Sequence, residues 1–178
     1  MHNRIYVFGA SCSGSTTLGR GLSQALSIPH ADSDDYFWEQ TDPPFSIKRP
    51  EEERVKLMAP VLGDGSWVLT GACENWAKDF IADATLIVFL SLPQELRLRR
   101  LKKREQERFG DRILEGGDMF EIHDAFFKWA SQYENPEFTG RSRHRHEAWM
   151  KSCGKPALRL DGRLTREELV AQVLRISA

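Results

Sequence analysis

An α/β domain built on a parallel sheet follows from three features of this chain. Short apolar, β-rich runs such as "RIYVFG", "SWVLTG" and "ATLIVFL" recur along it, each followed by residues at helical spacing. A glycine-rich turn, "GASCSG", joins the first of these runs directly to the first helix. The length of 178 residues suits one well-buried core and is short for two. Strands that alternate with helices in one chain are joined by crossovers, so the sheet is parallel and covered on both faces.

The elements follow in order. "RIYVFG" is the first strand, and "TTLGRGLSQAL" the first helix, with apolar residues at three- and four-residue spacing. "SIPHAD" reads as a second short strand ending at Asp32. The pattern weakens from Asp32 to Pro60, where "TDPP" interrupts it, and "PEEERVKLMAPVL" restores a helix opened by a proline. "SWVLTG" is a buried-type strand, followed by a short helix around "CENWAKDF". "ATLIVFL" is the strongest strand signal, and the proline of "SLPQE" opens a long helix reaching about Arg108. "FEIHDAFFKWASQY" and "GRSRHRHEAWMKS" are helical in period. "KPALRLDG" supplies a fifth strand, and "LTREELVAQVLRI" a closing helix with Thr165 and Glu168 at capping-box spacing.

Bulk properties exclude several function classes. Hydrophobic content of 40% and charged content of 29% describe a soluble globular protein. A formal net charge of -1 exerts no general pull on nucleic acid or anionic membranes. The apolar run from Ala82 to Leu92 is too short to cross a bilayer, and "MHNRIYVFGA" lacks the features of a signal peptide. Cys12, Cys73 and Cys153 have no metal-ligand spacing and read as reduced thiols. The expectation is a cytoplasmic protein with small-molecule partners, no membrane and no nucleic acid; the choice between monomer and dimer stays open.

Ligands of parallel α/β sheets sit beyond the carboxyl ends of the strands. Gly9, Asp32, Gly71 and the "SLP" after the fourth strand all fall there. At the first of these ends the chain follows the phosphate-loop pattern G-x-x-x-x-G-K-[ST] in Gly9, Gly14 and Thr16, but Ser15 stands at the lysine position. Successive backbone N–H groups of such a loop hold phosphates at the positive end of a helix, and this uses no lysine. Ser11, Ser13, Ser15 and Thr17 add small polar donors, Cys12 is a small residue in the same loop, and Thr16 supplies a hydroxyl for Mg²⁺. What is missing is one charge at the β- and γ-phosphates, a charge-assisted hydrogen bond of about 1.5–3 kcal/mol. A tight strand-to-helix turn with no ligand is the simpler alternative.

"GSTTLGRGLSQAL" resembles the "GKSTxGRxLA" opening of shikimate and gluconate kinases, within the nucleoside-monophosphate-kinase-like P-loop group. "ADSDDYFW" matches their D-x-D segment, "WVLTG" resembles their third-strand end near the substrate pocket, and "VFLSLPQELRLRRLKKRE" looks like the fourth strand and the approach to their lid. "LRLDG" is similar to their last strand. The "GASxSGxTT" start without lysine also resembles small bacterial proteins described as adenylate-kinase-related. The resemblance implies a three-layer P-loop NTPase fold with a five-stranded parallel sheet and a helical lid. It implies one domain over 1–178, with 33–63 as an acceptor-binding insertion and 109–141 as the lid region. It further implies ATP and Mg²⁺, with Asp32 at the metal and Asp34 at the phosphoryl acceptor.

A carboxylate beside the transferred group orients an acceptor hydroxyl and takes its proton. Three acids together, Asp32, Asp34 and Asp35, would repel a phosphate acceptor and favour a hydroxyl, unless one or two of them only cap the next helix. Tyr36, Phe37 and Trp38 follow directly and can stack on a planar substrate, while Arg49 is placed to meet an anionic acceptor and Gly71 closes the third strand. Replacement cations come from two sets. Arg97, Arg100, Arg104 and Arg108 share one helical face, and Arg141, Arg143 and Arg145 lie in "TGRSRHRHEAW". Arg104, Arg108, Arg141 and Arg143 are the candidates for the lysine's catalytic task; a solvated face paired with Glu95, Glu105 and Glu107 is the alternative for the first set. His123 reads as packed or capping, and His144 and His146 as surface residues. The expected function is a phosphotransferase acting on a small-molecule hydroxyl or a nucleotide, with a catalytically weak nucleotide-binding switch as the alternative.

Overall fold

Strand β1 (Arg4–Gly9) occupies the middle of a five-stranded sheet, flanked by β3 (Trp67–Thr70) and β4 (Leu86–Ser91). The short β2 (His30–Asp32) and β5 (Ala157–Asp161) form the edges, giving the parallel order β2-β3-β1-β4-β5. The computed structural model describes residues 2–177; Met1 and Ala178, the ends of the expected 1–178 domain, lie outside the described residues.

Alternation along each strand divides the core in two. Ile5 and Val7 of β1 join Val68, Val88 and Leu90 on one face, where Leu18 and Leu22 of α1 (Ser15–Leu26) and Leu169 and Val173 of α8 (Arg166–Ser177) cover them. Tyr6 and Phe8 point the other way, with Leu69, Ile87 and Phe89. They pack under Met58 and Leu62 of α3 (Glu51–Leu62), Ile81 of α4 (Lys78–Ala82) and Met150 of α7 (Arg143–Ser152). Burial on both faces explains why these strands read as continuous apolar runs. Each fully buried large side chain contributes about 1.5–3 kcal/mol.

Local signals set the helix ends. Pro50 precedes α3, Pro93 precedes α5 (Gln94–Phe109), and both N-terminal turns carry acidic residues. At α8 the Thr165 N–H donates to Glu168 Oε2 at 2.8 Å while the Glu168 N–H donates to Thr165 Oγ1 at 3.3 Å, a reciprocal capping box. No helix among the described residues is long and apolar enough to cross a membrane.

Two details differ from the sequence expectations, and two further segments take definite form. The segment expected to be one helix around "CENWAKDF" is a turn, closed by Ala77 N–H to Cys73 O at 2.9 Å, followed by α4. The weakly patterned stretch after Asp32 begins with α2 (Ser33–Phe37) and continues as a small antiparallel pairing centred on Trp38 and Lys48. Segment 109–141 contains much regular structure: a 3₁₀ turn (Gly110–Ile113), α6 (Phe120–Ser131) packed on α5, and a second 3₁₀ turn (Gln132–Glu134). Its glycine turn is closed by Gly117 N–H to Leu114 O and Met119 N–H to Arg112 O at 2.9 and 3.0 Å. Finally, His146 is not a surface residue. It shares the inner face of α7 with Met150, its ring is 5.0 Å from that of Phe8, and its Nδ1 is 3.0 Å from the Tyr133 hydroxyl. Burial, helped by the Arg141 charge, lowers its pKa to about 3, so it is neutral.

Candidate functional site

The loop from Gly9 to Gly14 is shaped by contacts that only certain residues allow. A Cβ on Gly9 would lie 2.5 Å from the Leu90 carbonyl oxygen and 2.6 Å from Ser13 Oγ. Gly14 has φ 107, and Cys12 has φ 62, so the chain turns through two left-handed residues. Ser13 N–H donates to Ala10 O and Leu18 N–H to Gly14 O, both at 3.0 Å, which leaves the N–H groups of Ser15, Thr16 and Thr17 without intrahelical acceptors. Helix α1 has no acidic residue in its first turn, in contrast to α3 and α8, and no side-chain cap, in contrast to α8. Its positive end is therefore open to an anion. Ser13 Oγ is buried and has no hydrogen-bond partner among the described residues.

This loop floors a cleft of about 1240 Å³ at the carboxyl end of the sheet. Gly9, Ser11, Cys12, Ser13, Gly14, Ser15, Thr16 and Thr17 all line it, as do Asp32, Asp34, Asp35 and Gly71. Asp32 ends β2 and caps α2 by accepting the Asp34 N–H on Oδ1 at 3.2 Å, so capping and cleft placement coexist in one residue. Asp34 stays in contact with solvent in the open cleft, yet partial desolvation by the cleft walls and the neighbouring Asp32 charge raise its pKa; Arg141 and Arg104 oppose the rise. Burial and Asp32 also raise Asp35, against Arg20, His30 and Arg108. Burial raises the Cys12 thiol, again opposed by Arg104.

The four candidate cations separate. Arg104 lines the cleft, its charge acts on both Cys12 and Asp34, and its fork rests on Glu105 Oε1 at 2.8 and 3.0 Å. Arg108 lines the cleft with its guanidinium 6.0 Å from the Phe45 ring. Arg141 lines it above the Trp129 ring at 5.2 Å, with one long contact to Ala72 O at 3.5 Å. Arg143 is placed elsewhere: its fork binds both Glu134 oxygens at 2.7 and 2.8 Å, its third nitrogen binds Ser91 Oγ at 2.9 Å, and it does not line the cleft.

Two expected acceptor contacts are also turned away. Arg49 donates to the Tyr36 carbonyl at 2.6 Å and stays off the cleft, while its neighbour Lys48 lines it. The reason is the extended pairing at Trp38 and Lys48, in which successive side chains face opposite sides. Tyr36 packs instead against the aromatic core. Arg100, which belongs to the α5 set but is not among its chosen candidates, lines the cleft and donates to Gly162 O at 3.2 Å, and Phe45, Phe126, Gly162 and Leu164 line it without a sequence expectation as site residues. Only Arg100 had a usable signal, one helical turn from Arg104 on the same face of α5.

A family model described as "AAA domain" (AAA_18) matches residues 5–123. An uncharacterised protein, YqaC of Bacillus subtilis (strain 168), is 38% identical over 98% of this chain and 97% of its own length. Shikimate kinase 2 of Syntrophotalea carbinolica is 30% identical over 57% of this chain and 65% of its own. Among solved structures, shikimate kinase from Bacteroides thetaiotaomicron superposes with a TM-score of 0.57 at 19% identity, covering 99% of this chain and 98% of that one. That likeness concerns fold, and strand order, loop and cleft agree with it. The chain therefore belongs to this AAA domain family of P-loop proteins and has the fold of a P-loop kinase.

Proposed function

We propose that this protein is a cytoplasmic, ATP- and Mg²⁺-dependent phosphotransferase that moves the γ-phosphoryl group to a hydroxyl of a small molecule. One observation carries the reading: the phosphate nest and the Asp34 carboxylate share one cleft, and the charge of Arg104 reaches both. Asp34 receives the proton of the acceptor hydroxyl as its oxygen bonds to the γ-phosphorus, and the bond to the β-bridging oxygen breaks to leave ADP. The N–H groups of residues 15–17 and the guanidinium of Arg104 face the developing phosphoryl charge and occupy the role of the missing lysine. Segment 109–141 acts as the lid, tied to the acceptor region by Arg112, which bridges Asp118 and Asp42.

Thr16 and Asp32 fit as the protein's contacts to Mg²⁺. Both line the cleft, and Mg²⁺ held with a nucleotide needs only one or two protein oxygens beside phosphates and waters. When bound, the ion neutralises charge on the phosphate oxygens.

A second reading, a nucleotide-binding switch without turnover, is favoured by Ser15 and by the pairing of Arg104 with Glu105. A transfer screen with ATP and GTP over nucleosides, nucleotides, sugars and hydroxy acids separates the two. In the kinase reading, Arg104→Ala lowers turnover about 10²–10³-fold and changes nucleotide affinity far less. Unchanged turnover moves the role to Arg108 or Arg141, tested by the same substitution; tight binding with no transfer to any acceptor establishes the switch.

A further inference from the structure

Two groups of aromatic rings line the cleft that holds Asp34. One is Trp38, with Phe37 at 4.9 Å and Phe45 at 5.9 Å between ring centroids. Phe45 has φ 64, a conformation that a bulky residue adopts only when its surroundings impose it. The other comes from α6, where Phe126 and Trp129 lie 6.0 Å apart with their planes within 20°. All five rings line the cleft and are half-buried, whereas Trp76 is a core residue at 8% exposure. Each group also carries a guanidinium, Arg141 over Trp129 at 5.2 Å and Arg108 over Phe45 at 6.0 Å. Arg141 makes one long backbone contact and no ion pair, so its donors remain available to an anion.

The cleft exceeds the roughly 300–1,000 Å³ of a pocket for one ligand, which leaves room for an acceptor beside a nucleotide. Gly162 and Leu164, after the edge strand β5, line the part of the cleft that remains for a nucleotide base. The rings adjoin Asp34 and Ala72, at the ends of β2 and β3 on the opposite side of β1. A puckered ring can rest its C–H face on one aromatic group, but it does not make the full face contact of a flat ring.

From this juxtaposition we infer that the acceptor is a planar aromatic compound carrying both a hydroxyl and an anionic group. The ring packs against this aromatic lining, the anion meets Arg141, and the hydroxyl faces Asp34. The inference deepens the kinase reading and rests on it for the identity of this lining as the acceptor site.

Gallate and shikimate form a matched pair of probes: one carboxylate and three hydroxyls each, on a flat aromatic ring and on a puckered non-aromatic one. Titration calorimetry with each, alone and with the non-hydrolysable nucleotide AMP-PNP and Mg²⁺, tests the aromatic lining without requiring turnover. Gallate binds about tenfold more tightly than shikimate, the gain expected of ring stacking. Methyl gallate, without the charge, loses affinity. Trp129→Leu and, independently, Trp38→Leu bring gallate to the level of shikimate while AMP-PNP affinity is unchanged, which also reports an intact fold. Equal affinity for the pair, no binding of gallate at millimolar concentration, or competition between gallate and AMP-PNP overturns the inference. A retained preference for gallate with no phosphoryl transfer to any acceptor leaves the aromatic site in place and removes the kinase reading instead.

Discussion

The two ends of the cleft are built in opposite ways. The phosphate end is one continuous stretch, residues 9–17, and works through backbone N–H groups, two left-handed residues and an uncapped helix. The acceptor end draws on separated segments: Asp34 on α2, Lys48 after a turn, Gly71 beyond β3, Phe126 and Trp129 on α6, and Arg141 before α7. Backbone cradles tolerate side-chain change, which is how Ser15 can stand where a lysine is usual without disturbing the loop. Side-chain slots have no such tolerance, since each member depends on a different element being in register. Nucleotide binding and acceptor choice are thereby separable by substitution.

Asp34→Asn breaks the acceptor end alone and has the largest expected effect. Phosphoryl transfer falls about 10²–10⁴-fold, the contribution of a positioned general base, while nucleotide affinity measured by calorimetry stays the same. Ser15→Lys sharpens the phosphate end alone. It restores one charge-assisted hydrogen bond of about 1.5–3 kcal/mol, so nucleotide dissociation constants fall by about one to two orders of magnitude with no change in acceptor preference. An unchanged affinity would mean that Arg104 already supplies that charge in full.

The smallest effect is in the pH profile. Asp34 acts as base only when deprotonated, and its pKa is raised above the ordinary 3.8 by burial and by Asp32. Activity therefore falls on acidification at a higher pH than an ordinary aspartate would give. Asp35 contributes to the same rise. Removing its charge with Asp35→Asn shifts the acid limb of kcat/KM slightly to lower pH; a shift to higher pH would exclude Asp34 as the titrating group.

What is legible in the sequence is what short-range physics controls. Continuous apolar runs, proline at helix starts, the Thr165–Glu168 box and the glycines of the loop specify strands, helix ends and the left-handed turn within a few residues of themselves. Parallel order then follows from the crossovers, and with it the end of the sheet where ligands collect. The sequence leaves open which side of an irregular segment a residue faces. Arg49 is the expected acceptor contact until the pairing with Trp38 sends it to the Tyr36 carbonyl and turns its neighbour Lys48 to the cleft. Arg141 and Arg143 are equivalent in "TGRSR" until Glu134, brought close by the fold, takes the second and leaves the first free. His146 becomes a buried neutral side chain because α7 lays that face on Phe8 and Phe89. In each case the deciding partner is remote in sequence or lies across an irregular turn, and only the packed chain brings it within reach.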